Sequence, residues 1–251
     1  MRIVGIDLAW GERKPDGIAA IEVGGRFGPI LFSTTSVQGD GALLAMIQEL
    51  AGRGPCLLAI DGPIICPNRD GMRPVDRFTH VLFGRRHAGC HPANATKCPR
   101  PGRIARRLQA LGFSPAFALD RPRRQKEIDG RPLRRQIEVY PHPATLRLFS
   151  LDRILKYKKG PAMVRRRELA RLQVLLLRLL SRLDPPVKLG EEAERLFRID
   201  PRSLQGSAHK EHEDRLDAMI CALVGLHHWW HGGRRSQILG DLKTGYIVLP
   251  R

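Results

Sequence analysis

Acidic residues are in short supply in this 251-residue sequence: 25 Asp and Glu stand against 43 Lys and Arg, a formal net charge of +18. Such a surplus favours polyanionic partners, because each cation set beside a phosphate releases condensed counterions. Cysteines are few and odd in number (Cys56, Cys66, Cys90, Cys98 and Cys221), which argues against a disulfide scaffold. No stretch approaches the about 18 unbroken apolar residues of a membrane span. The opening MRIVGIDLAW lacks the apolar length of a secretory leader. Together these absences predict a protein of the reducing cytoplasm, without membrane contact. Internal repeats and low-complexity linkers are also missing, and the 42% hydrophobic fraction is that of an ordinary globular chain.

The positive charge is unevenly spread. Cys66 to Gln136 hold 17 Lys and Arg against 5 Asp and Glu, whereas the other 180 residues hold 26 against 20. A generic excess would be uniform, so the clustering predicts an anion-binding surface, with merely solvated faces as the alternative.

Periodicity predicts an α/β protein. RIVGIDLA, DGIAAIEV and PILFSTTSV read as three strands, joined by turns at Gly11–Pro15 and Gly24–Arg26 into an antiparallel meander. GDGALLAMIQELAGRG has helical spacing and a glycine stop, and PCLLAIDGP is a short apolar strand suited to a central parallel position. Residues 66–133 are rich in Pro, Gly, Arg and His, with one helix predicted at GRIARRLQALG. Their apolar content is too thin for a separate core, so they read as a basic insertion in a single domain spanning 1–251. LRRQIEVYP resumes as strand, followed by helices at PATLRLFSL and at MVRRRELARLQVLLLRLLSRL. A buried helix is expected over about 212–230, and GYIVLP closes the chain as an edge strand. The expected fold is α/β: a mixed five-stranded sheet flanked by helices.

Acids stand at telling places in this outline. Asp7 ends the first strand and Asp61 ends the strand LLAID; neighbouring parallel strands would present both at one sheet edge, where open α/β sheets form their sites. In HEDRLDAMICAL, Asp214 and Asp217 share a helix face, read as the helix's first turn. Small residues above them (Ala218, Cys221, Ala222, Gly225) would let that helix lie close against the sheet. Taken singly, each acid also suits a turn former or a helix cap. Gathered together they repel one another, and a divalent cation resolves the conflict. All-oxygen ligands point to Mg²⁺ or Mn²⁺. Two such ions about 4 Å apart would clamp a phosphodiester for attack by water.

GIDLAW, AIDGP, EVYPHPATL and DRLDAMICAL, in that order, resemble the ribonuclease H-like superfamily, and more closely its uncharacterised branch of predicted nucleases, the DUF429 family. The Asp-x-x-Asp-Ala element is similar to the last catalytic motif of the Holliday-junction resolvases of that superfamily. The resemblance covers nearly the whole chain. It implies a metal-dependent nuclease in which Asp7, Asp61 and Asp217 are ligands and Asp214 is a ligand or orienter. Glu138, in EVYP, would face the site or brace it. Where resolvases often carry Glu, this chain has Asp61, one methylene shorter. Arg73 and Asp76 in GMRPVDR resemble a recurring Arg-x-x-Asp of the family and would line the site or pair internally.

Nucleic acid is the implied partner. Arg85 and Arg86 in GRRH, and Arg123, Arg124, Arg134 and Arg135 further on, read as phosphate contacts. His209, Lys210 and His212 would be helpers beside the metals or surface residues. Cys66, Cys90, His91 and Cys98 could form a zinc site, but lack its tight spacing. The tryptophans of HHWWHGG read as core. Two other functions fit less well: a nucleic-acid-binding protein without catalysis, and an actin-like sugar kinase, which requires two such halves.

Overall fold

The computed structural model describes residues 1–24, 28–118 and 126–251. Its strands are β1 (Arg2–Asp7), β2 (Pro15–Val23), β3 (Pro29–Gln38), β4 (Cys56–Asp61), β5 (Ser114–Pro115), β6 (Glu127–Ile128), β7 (Arg131–Pro132), β8 (Arg134–Val139), β9 (Lys188–Leu189), β10 (Ser236–Asp241) and β11 (Gly245–Pro250). Its α-helices are α1 (Asp40–Ala51), α2 (Pro74–Phe83), α3 (Pro99–Ala110), α4 (Pro141–Leu148), α5 (Ala162–Leu180), α6 (Glu191–Arg198) and α7 (Gly206–Trp230). Among the described residues no helix is long and apolar enough to cross a membrane.

The main sheet runs β10-β11-β8-β4-β1-β2-β3-β9, with β5 attached to β8. The five strands expected from the sequence form its middle, as a meander β1–β2–β3 with β4 and β8 added in parallel. The sheet nevertheless has nine strands rather than five. GYIVLP, expected at an edge, lies between β10 and β8 with all six residues buried, and half-polar SQILGD takes the edge beside it. The basic stretch holds two helices rather than one, and Val75, Phe83, Ile104, Leu108 and Phe113 join the same apolar core as the sheet.

One helix seats the site. α7 begins at Gly206, six residues before its expected start, so Asp214 and Asp217 stand in its third and fourth turns rather than its first. The helix dipole, which falls off within one turn, therefore does not account for their position. Its seating on the sheet is backbone against backbone. A methyl group at Gly5 of β1 would stand 2.2 Å from both Ala218 O and Ala222 N, and one at Gly17 of β2 would stand 2.1 Å from Asp214 O. Further along, a methyl at Gly225 would meet Ile3 at 2.9 Å and Ala59 at 3.0 Å. The small residues of α7 and these sheet glycines remove the usual side-chain layer between helix and sheet.

Gly17→Ala must push α7 off β2. We expect a loss of about 2 kcal/mol in urea denaturation, the usual cost of overpacking. Gly41→Ala, where nothing lies within 4 Å of the added methyl, should cost nothing; equal losses for both would refute the close seating.

Candidate active site

β1 and β4 are parallel and in register, with Asp7 opposite Asp61, so both carboxyls leave the same end of the same sheet face. Gly5 lies two residues before Asp7 and faces α7, which sets that face as the one the helix covers. Asp7 is also opposite Gly17, over which Asp214 rides. Asp7 and Asp214 thereby come within hydrogen-bond reach of each other. Asp7, Asp61 and Asp214 line one cavity of about 920 Å³.

Burial, followed by the charge of Asp7, pushes the Asp214 carboxyl up to about 8. Burial raises Asp7 too, against the opposing pull of Lys158. Asp61 is raised well above the usual carboxylate range by burial and then by Asp7. These acids are crowded and short of compensation.

Asp217 is fully buried and does not line the cavity. It accepts a hydrogen bond from Tyr157 Oη at 2.7 Å and pairs with Lys158 Nζ at 2.6 Å. The two helix acids thus have different surroundings. Both have an Oδ2 that is buried and makes no hydrogen bond among the described residues; that of Asp214 belongs to a cavity-lining side chain, whereas that of Asp217 meets Lys158 Nζ and anchors the segment that carries Tyr157 and Lys158. Lys158 is close enough to Asp7 and Asp61 for both to hold its ammonium in the charged form, after Asp217. A second ammonium, Lys210, bonds Asp214 and sits 2.9 Å from Glu213 Oε1.

Glu138 pairs in register with Ile60, one residue before Asp61, so its side chain starts on the opposite sheet face. There it receives Arg73 Nη1 at 2.9 Å and Nη2 at 2.6 Å, and accepts from Ile64 N at 3.2 Å. Arg73 spends its remaining donors on Asp76 and on Ile65 O. Asp76 also accepts from Ala93 N at 3.1 Å. This buried triad braces the loop after Asp61. It forms part of the cavity wall, but the Arg73 guanidinium is already fully engaged.

The other predicted arginines are dispersed. Arg134 opens β8 opposite Cys56, at the far end of the strands from Asp61, where it bonds Gly52 O and stacks on Phe113. Arg135 follows it and bonds Ser114 Oγ. Arg85 and Arg86 form a single turn after α2 and do not line the cavity. Arg123 and Arg124 lie outside the described residues. Arg100 is buried on Asp16 and Asp40, so part of the insertion's charge is spent internally. His209 and His212 are buried on α7, with His212 Nε2 2.6 Å from Gln173 Oε1. Cys66 Sγ donates to Asn68 Oδ1 at 3.5 Å and Cys98 Sγ to Asn94 O at 3.0 Å.

Among the described residues no group of three or more His, Cys, Asp or Glu side chains stands at liganding positions. The carboxylates occupy the positions of a cluster partly neutralised by Lys158 and Lys210. Its chemistry suits a hard divalent cation: the cavity acids offer only oxygen, they are under-neutralised, and Asp214 Oδ2 is buried without a donor. The oxygen donors that line the cavity are Asp7, Asp61 and Asp214.

Lys158, Tyr157 and the whole segment Arg153–Gly160 escaped the sequence reading. Its sole signal is an alternation, with Leu155 and Tyr157 buried and Lys156 and Lys159 exposed.

Asp214 and Asp217 should respond oppositely to neutralisation. With chelator present, Asp217→Asn should lower stability by about 3 kcal/mol, because it leaves Lys158 without its counter-charge. Asp214→Asn should raise it by about 1 kcal/mol, by relieving the crowded acids. Urea denaturation reads both, and shifts of the same sign would contradict the division of roles.

No curated protein and no solved structure matches the chain. Residues 5–244 match the model of a family described as a protein of unknown function, DUF429, and the chain belongs to that family.

Proposed function

We propose that the protein is a ribonuclease H-like, divalent-cation-dependent nuclease that hydrolyses phosphodiester bonds in nucleic acid. The observation that carries this reading is the convergence of Asp7, Asp61 and Asp214 on one cavity whose mouth is cationic. Two ordered strand ends and one tightly seated helix hold the acids, so the arrangement is built into the core rather than left to loops. The strand order β3-β2-β1-β4-β8, with acids at the ends of β1 and β4, supports the superfamily resemblance.

Under this reading Asp7, Asp61 and Asp214 would hold Mg²⁺ or Mn²⁺. The chemistry that two such ions supply is Lewis-acid stabilisation of charge on the phosphate and activation of water. The chain's own residues do the rest. Lys158, fixed by Asp217, keeps a positive charge beside Asp7 and Asp61, so the acids stay together instead of splaying apart. Lys210 does the same for Asp214. The Arg73–Asp76–Glu138 triad holds the loop after β4, which fixes where Asp61 points. Substrate phosphates are oriented by the cations of the rim.

Asp7→Asn, Asp61→Asn and Asp214→Asn should each abolish Mg²⁺-dependent cleavage of a labelled oligonucleotide. The loss should exceed the roughly 10–100-fold that removing an outer-shell partner costs. Asp217→Asn should fall within that smaller range. Retention of the parent rate by Asp7→Asn would overturn the proposal. A protein that binds the oligonucleotide in chelator and never cuts it with Mg²⁺ would be a binder, not a nuclease.

A further inference from the structure

The cavity has features that the acids alone do not require. Trp10 follows Asp7 by three residues, lies on the cavity wall, and leaves 36% of its surface exposed. The residue before it is held at both its backbone groups: Ala9 N donates to Asp16 Oδ1 at 2.8 Å, and Arg100 Nη1 donates to Ala9 O at 2.6 Å. Arg100 and Asp16 are themselves buried and paired at 2.6 Å, so the indole is presented from a fixed support. The chain's other tryptophans, Trp229 and Trp230, sit at the C-terminal end of α7, with Trp229 buried.

Four cations share the rim with Trp10. Lys14 comes from the turn between β1 and β2, and Arg153, Lys156 and Lys159 come from the irregular segment between α4 and α5. All four are exposed, and no ion pair engages any of them among the described residues. The segment is secured by buried Leu155 and Tyr157, by the Tyr157–Asp217 bond, and by Ile154 N donating to Arg86 O at 3.2 Å. Among the described residues, the unengaged positive charge at the site therefore lies outside the arginine-rich stretch that dominates the sequence.

A recess of about 920 Å³ is the size of a small-ligand pocket. Its acids are buried or half-buried, whereas these four cations of its lining are exposed and come from separate chain segments. An unpaired nucleotide can enter such a recess, whereas a base held in a duplex must first leave the stack. An exposed indole offers a face to any base, and unpaired ammonium and guanidinium groups suit phosphates.

Building on the nuclease reading, we infer that the substrate enters as an unpaired nucleotide unit, its base stacked on Trp10 and its phosphates held by Lys14, Arg153, Lys156 and Lys159. The unit is the end of a single strand; a free nucleotide carries the same base and phosphate and serves as its smallest binding probe.

The test is equilibrium binding with chelator present, so that no cleavage occurs, read by tryptophan fluorescence and by anisotropy of labelled probes. The probes are AMP, a short single-stranded oligonucleotide, and the duplex of the same sequence. AMP or the single strand should bind at least about tenfold more tightly than the duplex. Binding of AMP marks a free nucleotide as sufficient, and binding of the strand alone marks a strand end. Trp10→Ala should weaken binding about tenfold or more, the effect of losing one stacked base. Trp10→Phe should restore most of it, which separates stacking from misfolding. Lys156→Gln combined with Lys159→Gln should flatten the salt dependence of binding. Duplex binding equal to or tighter than single strand, or unchanged binding by Trp10→Ala, overturns the inference. The two readings fail differently. Trp10-dependent binding with no Mg²⁺-dependent cleavage sinks the nuclease and leaves this site standing. Cleavage of duplex that is indifferent to Trp10 does the reverse.

Discussion

Direct contact between the backbone of α7 and the glycines of β1 and β2 is the constraint on which the rest of the structure depends. At an ordinary helix–sheet separation, a layer of side chains would stand between Asp214 and Asp7. Gly5 and Gly17 abolish that layer, and the small residues of α7 answer from the other side. Asp214 is thereby pressed over the start of β2, beside the end of β1 that carries Asp7. Carboxylates do not gather unaided, so the apolar seating of a helix buried from Leu216 to Leu226 has to supply the stability that their repulsion opposes.

Charge is the second constraint, and two lysines relieve it in part. Lys158 touches Asp217 and lies near Asp7 and Asp61, and Lys210 touches Glu213 and Asp214 and lies near Asp7. The division between Asp214 and Asp217 follows from that arrangement. One stays open to the cavity with an oxygen to spare, and the other fixes a lysine and a tyrosine from a distant segment. On the opposite sheet face a separate ionic cluster, Arg73 with Asp76 and Glu138, secures the loop beyond Asp61. The site is thus held from both faces of the sheet, and the mouth is left to Trp10 and the unengaged cations.

Much of this was legible in the sequence, for reasons that vary by residue. Asp7 and Asp61 could be placed because each ends a short apolar run, and strand ends in a parallel pair coincide. Asp214 and Asp217 could be grouped but not told apart, because what separates them is Tyr157, 60 residues from Asp217. Lys158 gave no signal, since its segment has neither helical nor strand form. α2 escaped because its pattern is inverted: Asp76 is buried on Arg73, while Phe78, Val81 and Leu82 face outward. α6 is a short, charged helix with Glu–Arg pairs at i,i+4, which reads equally well as loop. GYIVLP reads as an edge strand because SQILGD, which takes the edge beside it, is half-polar and carries little strand pattern of its own. The count of arginines drew attention to a stretch whose members are partly spent within the protein, as Arg73 and Arg100 illustrate.

The central claim is that Asp7, Asp61 and Asp214 form one cation site and Asp217 stands behind it. Soaking crystals in Mn²⁺ and locating the ions by anomalous scattering tests this most directly. The account predicts manganese in contact with Asp7, Asp61 and Asp214 while Lys158 stays on Asp217. Manganese bound elsewhere, or none at this cavity at saturating concentration, would contradict it.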